Sequence, residues 1–370
     1  MKKLIITGGG TGGHVLPGVA VADQWKKKFG KEAIVLFVGA HGGLEEKLVP
    51  KAGYPLELLS IGSLKGAGIM KKLRTLFQLP FSILRSWVII GRVKPDVVIG
   101  VGGYASGPFL LAAAFVRPFY GYTTAILEFN AIPGFTNRLL GRLVQKIFLA
   151  FDSQGTGFSS SKLLVTGTPV RSNLMPLAPA RVNPLTIFIF GGSQGALGVN
   201  TLVIGALDHL GSVFPDWKNQ LRFIHQTGEK DFDRVSEAYR KAGAPARVEK
   251  FIHDMASAYA EASLLICRAG ASTLSEIATV RRAAILVPLP TAADNHQYKN
   301  AELFSRKNAA ILLSQKETSS ETMARRIADL ALNPGQIHDL ERNVQQFHRP
   351  AAAQTVVDAL VQIDPGAHSA

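Results

Sequence analysis

Gly8-Gly9-Gly10-Thr11-Gly12-Gly13-His14, closed by Pro17, stands between two segments of different texture. Ahead of it, Lys3-Leu4-Ile5-Ile6-Thr7 is short and apolar with adjacent β-branched isoleucines, the pattern of a buried strand. Behind it, Pro17-Gly18-Val19-Ala20-Val21-Ala22 leads into a helical pattern that runs through Phe29. Pro17 suits a first helical position, where its missing N–H costs nothing. The expected order is strand, glycine loop, helix. Glycines let a backbone come close to a ligand and reach positive φ. A helix start adds unpaired amides and the positive end of the dipole. Phosphate or pyrophosphate is the ligand this arrangement suits best.

Gly8, Gly10 and Gly13 also satisfy G-x-G-x-x-G, the dinucleotide fingerprint. A dinucleotide site wants an acid near the end of the second strand, for the ribose hydroxyls. The second strand, Ala33 to Val38, runs instead into Gly39-Ala40-His41-Gly42-Gly43, and no acid sits at its end. A nicotinamide site is set aside on that ground. The blander alternative, a glycine turn that only packs helix against strand, stays open.

A chain of 370 residues is long enough for two domains with full cores. With 47% hydrophobic and 18% charged residues it reads as globular and rather apolar, not disordered. The single Cys267 excludes an intrachain disulfide framework and fits a reducing cytosol. Met1-Lys2-Lys3 leads straight into the first strand, so no signal peptide is expected. Residues 1–170 carry 20 Lys and Arg against 8 Asp and Glu, which is +12 of the net +14. That half faces an anionic partner: acidic substrate, anionic membrane or nucleic acid. Nothing resembles a nucleic-acid recognition pattern, so no nucleic-acid partner is expected.

Between Ser60 and Asp96 the basic residues Lys65, Lys71, Lys72, Arg74, Arg85, Arg92 and Lys94 interleave with large apolar ones, among them Leu73, Phe77, Phe81 and Trp87. The longest charge-free run, from Arg74 to Arg85, is far short of the roughly 20 residues a spanning helix needs. It also contains Pro80. A surface lying in the membrane interface is the expectation, with a core helix carrying ordinary solvated lysines as the alternative. Asp96 to Val101 reads as a strand opening into a second glycine loop, Gly102-Gly103-Tyr104-Ala105-Ser106-Gly107. Thr123 to Leu127 leads to Glu128-Phe129-Asn130. Residues 166–184 hold four prolines with little periodicity and read as a linker.

The opening pattern then recurs: strand Leu185 to Phe190, loop Gly191-Gly192-Ser193-Gln194-Gly195, helix from Ala196. Two similar α/β halves follow from that recurrence. Further on, Leu264 to Cys267 is a strand, and Ser272 or Thr273 can cap the helix behind it. Glu276 is then either a capping-box acid or a carboxylate accepting two hydrogen bonds from a ribose diol. Asp231-Phe232-Asp233 matches a metal-binding D-x-D, but acids in a helix's first turn are expected for dipole reasons. No metal and no cofactor are expected.

In order, Gly9 to His14, Gly102-Gly103-Tyr104 with Ser106-Gly107, Glu128 with Asn130, Gly167-Thr168-Pro169-Val170-Arg171, Gly191 to Gly195, Cys267 to Glu276 and Asp294 to Gln297 resemble the MurG family of bacterial peptidoglycan glycosyltransferases. The resemblance runs from Lys3 to about Val361 and implies two Rossmann-like α/β domains facing a central cleft, the GT-B glycosyltransferase fold. It implies residues 1–170 as an acceptor and membrane domain, 171–348 as a UDP-GlcNAc domain, and 349–370 as a helix returning to the first domain, plus a tail. The family moves N-acetylglucosamine from UDP-GlcNAc to the muramoyl sugar of undecaprenyl-pyrophosphoryl-MurNAc-pentapeptide. By resemblance Ile252 touches the uracil. Ala271, Ser272, Thr273, Leu274, Ser275 and Glu276 line the uridine and pyrophosphate, and Gln297 holds the sugar. Ser193 and Arg171 complete the donor site, which Thr11, Gly12, Gly13 and Asn130 reach across the cleft. The acceptor pyrophosphate lies near the glycine loops, including Gly102, Gly103 and Tyr104. Anionic lipids at the cytoplasmic face of the inner membrane complete the expected partners. Where the family usually reads His-Glu-Gln-Asn, this chain has Leu127-Glu128-Phe129-Asn130.

Inverting transfer to a sugar hydroxyl needs one group to take its proton. His14, at a glycine loop and a helix start, is one candidate, since the positive helix end favours the neutral imidazole. Glu128 is the other, as base or as the partner orienting an imidazole. A His14 that only bonds loop backbone or an acceptor phosphate is the third reading. Rival functions are another glycolipid glycosyltransferase of the same fold, a UDP-GlcNAc epimerase, and an inactive sugar-nucleotide binding protein.

Overall fold

A computed structural model describes residues 2–62, 69–152, 155–171, 173–192 and 194–363, without the side chains of 69–74. Lys65 and Ser193, and the side chains of Lys71, Lys72, Leu73 and Arg74, therefore lie outside the described residues. The chain divides into two compact units, residues 1–172 with 349–370, and residues 173–348.

In the first unit the strands are β1 (Lys2–Thr7), β2 (Ala33–Ala40), β3 (Leu56–Leu59), β4 (Val97–Gly100), β5 (Thr123–Glu128), β6 (Lys146–Leu149) and β7 (Leu163–Val165). Among the described residues they form one sheet in the order β3-β2-β1-β4-β5-β6-β7, every neighbouring pair parallel. The central strands are continuous β-branched and aliphatic runs because helices cover both faces. The strand order reverses between β1 and β4, where open α/β sheets bind ligands. Both glycine loops leave the sheet at that point. The Gly9 amide donates to the Gly102 carbonyl at 3.0 Å. A Cβ at Gly8 would collide with that same carbonyl, and one at Gly103 with the Gly9 backbone. Side chains are excluded there by backbone contact.

The first helix, Gly12–Phe29, starts earlier than Pro17. The Thr11 carbonyl already accepts the His14 and Val15 amides at 3.1 and 3.2 Å, so the helix begins in the glycine loop itself. Pro17 is an interior residue whose missing N–H leaves the Gly13 carbonyl without its helical donor. The helix Ala352–Gln362 packs against this one, with Gln354 bonded to Gln24 and Asp358 paired with Lys28.

The helix Ile69–Val93 corrects the sequence reading in one respect: it runs through Pro80 for 25 residues. By length and composition alone, Thr75–Val93 would suffice to cross a bilayer. One face is nevertheless built into the first unit. Ser82, Ser86, Ile89 and Ile90 are buried, and Trp87 Nε1 donates to the Ala112 carbonyl at 3.1 Å in the neighbouring helix Ser106–Tyr120. The opposite face is exposed and apolar, with Leu76, Phe77, Phe81, Leu84 and Val88. Phe115, Phe119 and Tyr120 are exposed on the neighbouring helix.

The second unit holds β8 (Leu185–Phe190), β9 (Leu221–Gln226), β10 (Ala246–Glu249), β11 (Leu264–Cys267), β12 (Ala283–Leu286) and β13 (Ile311–Leu312). Among the described residues these form a parallel sheet in the order β10-β9-β8-β11-β12-β13. The stretch expected as a linker is divided between the units. Thr166 and Gly167 bond the Leu149 carbonyl, whereas Ala178 and Ala180 bond Arg282 and Glu341. Arg282 and Glu341 form a buried ion pair at 3.1 Å.

Behind β8 and β9 a buried polar network replaces apolar packing. His225 Nδ1 lies 3.0 Å from the Tyr239 hydroxyl and its Nε2 3.1 Å from Asn200 Oδ1. Asn200 Nδ2 donates to the Thr227 carbonyl and to Asp231. Burial pushes the His225 pKa down from 6.5 to about 3. The unfolded chain therefore binds one more proton than the native one between those values. This contribution to stability is full above pH 6.5 and shrinks as pH falls toward 3, by about 1.4 kcal/mol per pH unit. Denaturant midpoints measured from pH 7 to 4 should fall more steeply for the native sequence than for His225→Gln; parallel slopes would show that His225 is not the titrating group.

Candidate active site

At the switch point of the first unit, the glycine loop is held by an acid that sequence reading missed. Glu45 opens the short helix Glu45–Lys51 and is 1% exposed. Its carboxylate accepts the Gly10 amide at 2.6 Å and the Ala40 amide at 3.0 Å. Side chains at Gly9, Gly39 or Gly43 would collide with it. An acid does reach the loop from beyond β2, but it is spent on backbone amides rather than turned to a ribose. The glycines of 39–43 around a following acid were the available signal.

His14 is the third residue of the first helix. Its Nδ1 lies 3.0 Å from the Gly9 carbonyl and 3.4 Å from Thr11 Oγ1. A carbonyl only accepts, so Nδ1 carries the proton and the lone pair of the neutral ring falls on Nε2. The imidazole thus bonds loop backbone through Nδ1. Gly102 lies against the ring's Cδ2–Nε2 edge. Phe129, the residue that departs from the family pattern, stacks on His14 with ring centroids 6.0 Å apart and planes 29° apart. Thr11, Gly12, Gly13, Gly102 and Gly103 are gathered around this histidine, and Tyr104 is exposed beside them.

Glu128 ends β5 and is 2% exposed. One oxygen accepts the Asn130 amide at 2.9 Å and Asn130 Nδ2 at 3.2 Å. The other accepts the Gly134 amide at 3.1 Å and Asn137 Nδ2 at 2.8 Å. Burial raises its pKa, and those four donors oppose the rise. With both oxygens engaged inside its own loop, this carboxylate fixes the shape of 128–137 and the orientation of Asn130. The carboxylate is thus held from both sides by its own loop.

In the second unit the expected donor residues collect at the C-terminal ends of the strands. The helix Ala271–Val280 has Gly270, not Ser272 or Thr273, at its cap position. Ser275 Oγ bonds back to the Ala271 carbonyl at 3.1 Å. Glu276 is the sixth helical residue, beyond the third position a capping box uses, so the capping reading fails. Its Oε2 accepts from the Tyr259 hydroxyl at 2.9 Å, which sets the carboxylate's orientation. Gln226, unassigned by sequence reading, joins two loops: its Nε2 donates to the Gly192 carbonyl at 2.9 Å and its Oε1 accepts the Ile252 amide at 2.8 Å. Gln297 Oε1 accepts the Leu289 amide at 2.9 Å, which fixes the orientation of its amide.

A cavity of about 560 Å³ opens here, lined by Gly191, Gly195, Leu197, Arg268, Gln297 and Gln315 among others. Arg268 is buried and donates to the Val287 and Pro288 carbonyls at 3.0 and 3.1 Å, bracing the cavity wall. Arg171 is half-buried in the extended segment after β7, in the first unit. Asp231, the first acid of the D-x-D match, is taken up by Arg234 and Asn200. Among the described residues no group of three or more His, Cys, Asp or Glu side chains could hold a metal ion.

The Glycosyltransferase family 28 N-terminal domain matches residues 4–149, and the Glycosyltransferase family 28 C-terminal domain matches residues 186–356. A relative in Myxococcus xanthus is 42% identical over 98% of this chain and 93% of its own length. One in Syntrophus aciditrophicus is 42% identical over 96% of this chain and 97% of its own. Both are named UDP-N-acetylglucosamine--N-acetylmuramyl-(pentapeptide) pyrophosphoryl-undecaprenol N-acetylglucosamine transferase. The crystal structure of Acinetobacter baumannii MurG is similar, with a TM-score of 0.80 and 32% identity over 98% of this chain and 100% of that one. Two matched domains on two parallel α/β units, with near-full-length relatives at this identity, show that the chain belongs to glycosyltransferase family 28, in its MurG branch.

Proposed function

We propose that this chain transfers N-acetylglucosamine from UDP-GlcNAc to the muramoyl sugar of undecaprenyl-pyrophosphoryl-MurNAc-pentapeptide, with inversion, at the cytoplasmic face of a bacterial inner membrane. One observation carries the reading. Ile252, the Ala271–Glu276 turn and Gln297, drawn from three separate stretches of sequence, all stand at the C-terminal end of one parallel sheet. That is where such sheets take nucleotides.

The roles follow from the chemistry of each group. Ile252 packs against the base, Glu276 accepts from the ribose hydroxyls, and the Gln297 amide donates to the hexose. The first turn of the helix Ala271–Val280 offers its amides and positive dipole end to the diphosphate. Ser193 and Arg171 are assigned to the donor by the resemblance alone. As the anomeric C–O bond breaks, negative charge grows on the leaving UDP, and those groups stabilise it more in the transition state than before. His14 Nε2 takes the proton of the attacking muramoyl hydroxyl. Thr11, Gly12, Gly13, Gly102, Gly103 and Tyr104 receive the acceptor diphosphate, and Thr11, Gly12, Gly13 and Asn130 also serve the donor. No step needs a metal.

The exposed apolar faces of Ile69–Val93 and Ser106–Tyr120 are proposed to lie on the membrane. Phe77 is 73% and Phe119 84% exposed, within a run of exposed apolar side chains on these two helices. The excess of Lys and Arg in residues 1–170 adds attraction to anionic lipid.

Incubation of the protein with UDP-GlcNAc and an undecaprenyl-pyrophosphoryl-MurNAc-peptide analogue should yield a product heavier by one N-acetylhexosamine unit. UDP-GlcNAc turnover without acceptor would point to the epimerase reading instead. In that assay His14→Ala should lower kcat about 10²–10⁴-fold, leave UDP affinity intact and abolish the acidic limb of the pH–rate profile. A limb that persists would remove His14 as the base. Glu276→Ala should weaken donor binding by about 1.5–3 kcal/mol, read as a higher KM for UDP-GlcNAc. An unchanged KM in a folded variant would remove Glu276 from the donor site. Binding to anionic vesicles should fall with added salt and fall again in Phe77→Ser with Phe119→Ser. Equal binding to neutral and anionic vesicles would contradict the electrostatic part.

A further inference from the structure

The peptide unit between Gly9 and Gly10 is bonded at both of its polar ends. Its N–H, on Gly10, donates to Glu45 Oε2 at 2.6 Å, and its C=O, on Gly9, accepts from His14 Nδ1 at 3.0 Å. One planar, resonance-stabilised amide therefore stands between a carboxylate and an imidazole. The bond to Glu45 is charge-assisted, and bonds in such a chain polarise one another, drawing electron density onto the Gly9 oxygen. That oxygen is then a stronger acceptor for Nδ1–H than an ordinary loop carbonyl. Glu45 is 1% exposed, so water and salt screen its charge little. Its other oxygen accepts the Ala40 amide at 3.0 Å, and the missing side chains of Gly9, Gly39 and Gly43 leave it room beneath the loop. Among the described residues, the first turn of the helix that carries His14 holds no acid. The other titratable groups on the loops that meet the ring are Tyr104, two residues past Gly102, and Glu128, next to Phe129. Glu128 is held by four donors of its own loop.

We propose that Glu45 is a positioning residue for His14, acting through this shared peptide: it holds the ring in the Nδ1-protonated form and raises the proton affinity of Nε2. The inference rests on the reading of His14 as the base and says what strengthens it in that role. As the O–H bond of the muramoyl hydroxyl breaks and an Nε2–H bond forms, the ring becomes a cation. Its Nδ1–H then bonds more strongly to a carbonyl that the Glu45 charge has already polarised. The Nδ1 proton stays where it is, and Glu45 neither receives a proton nor touches substrate. The part played by a carboxylate bonded directly to a base histidine is divided here between a side chain and a backbone amide.

The test is nitrogen NMR of the imidazole rings in the full chain, with the His14 signals assigned by their loss in His14→Ala. In the native sequence the neutral His14 ring should carry its proton on Nδ1. A ring protonated on Nε2 would overturn the proposal with no variant at Glu45 needed, so a folding defect there does not protect it. Glu45→Gln keeps the size and one acceptor oxygen but removes the charge. In it the His14 titration midpoint should fall by about 0.5–1.5 pH units, the scale of one weakly screened charge lost at this range. A lower midpoint lets the base stay neutral to lower pH, so the acidic limb of the kcat profile should move down with it. The plateau kcat should drop about 2- to 10-fold, since a weaker base transfers the proton less readily, while UDP affinity holds. A midpoint that stays or rises, even with activity lost, would reduce Glu45 to a brace for the loop. A fallen midpoint beside an unmoved kinetic limb would overturn His14 as the base and keep its coupling to Glu45. Native protein that transfers no sugar would overturn the proposed function, which the NMR midpoints do not depend on.

Discussion

Two backbones touching without side chains between them set the first unit. At the point where strand order reverses, Gly9 donates to Gly102, and added side chains at Gly8 and Gly103 would meet the facing backbone. That contact brings the loop after β1 against the loop after β4. His14 then falls beside Gly102, with its Nδ1 tied to Gly9 and Phe129 across its face. The placement of the proposed base is thus a consequence of backbone contact, with the Glu45 carboxylate holding the same loop through the Gly10 amide. A residue larger than glycine at 8 or 103 would separate the loops and carry the imidazole with one of them.

The second unit reaches its arrangement by other means. Its loops are joined by side chains: Gln226 between Gly192 and Ile252, Gln297 to Leu289, Arg268 to the carbonyls after β12. Each of these groups is oriented by a bond within its own fold. Preset groups lose little conformational freedom on binding, which is how a small number of polar contacts can discriminate.

The parallel α/β class was legible because strand and helix periods alternate with glycine loops at the turns, and because Leu185–Phe190 repeats the texture of the opening strand. Local signals misled where a tertiary contact overrode them. Pro17 marks a helix start in isolation, but the Thr11 carbonyl had already begun the helix at Gly12. Ser272 and Thr273 are good caps in isolation, but the loop brings Gly270 to that position. Glu276, Gln297 and His14 could be named as candidates from the resemblance and from the loops that hold them. Glu45, Gln226 and Tyr259 were not, because nothing in the local pattern of a buried acid, glutamine or tyrosine says which distant backbone or carboxylate it will bond.

Glu45 gives the glycine loop an unusual mutational landscape. Its carboxylate fills the space that Gly9, Gly39 and Gly43 leave open, and glycines of two separate loops are constrained by one side chain. Substitutions there cannot be neutral one at a time. A methyl group at Gly39 or Gly43 is blocked while Glu45 stands, and loss of Glu45 leaves a polar void beneath Gly10. Change in this region must therefore pass through coupled replacements, with the acid shortened or removed before a glycine is filled.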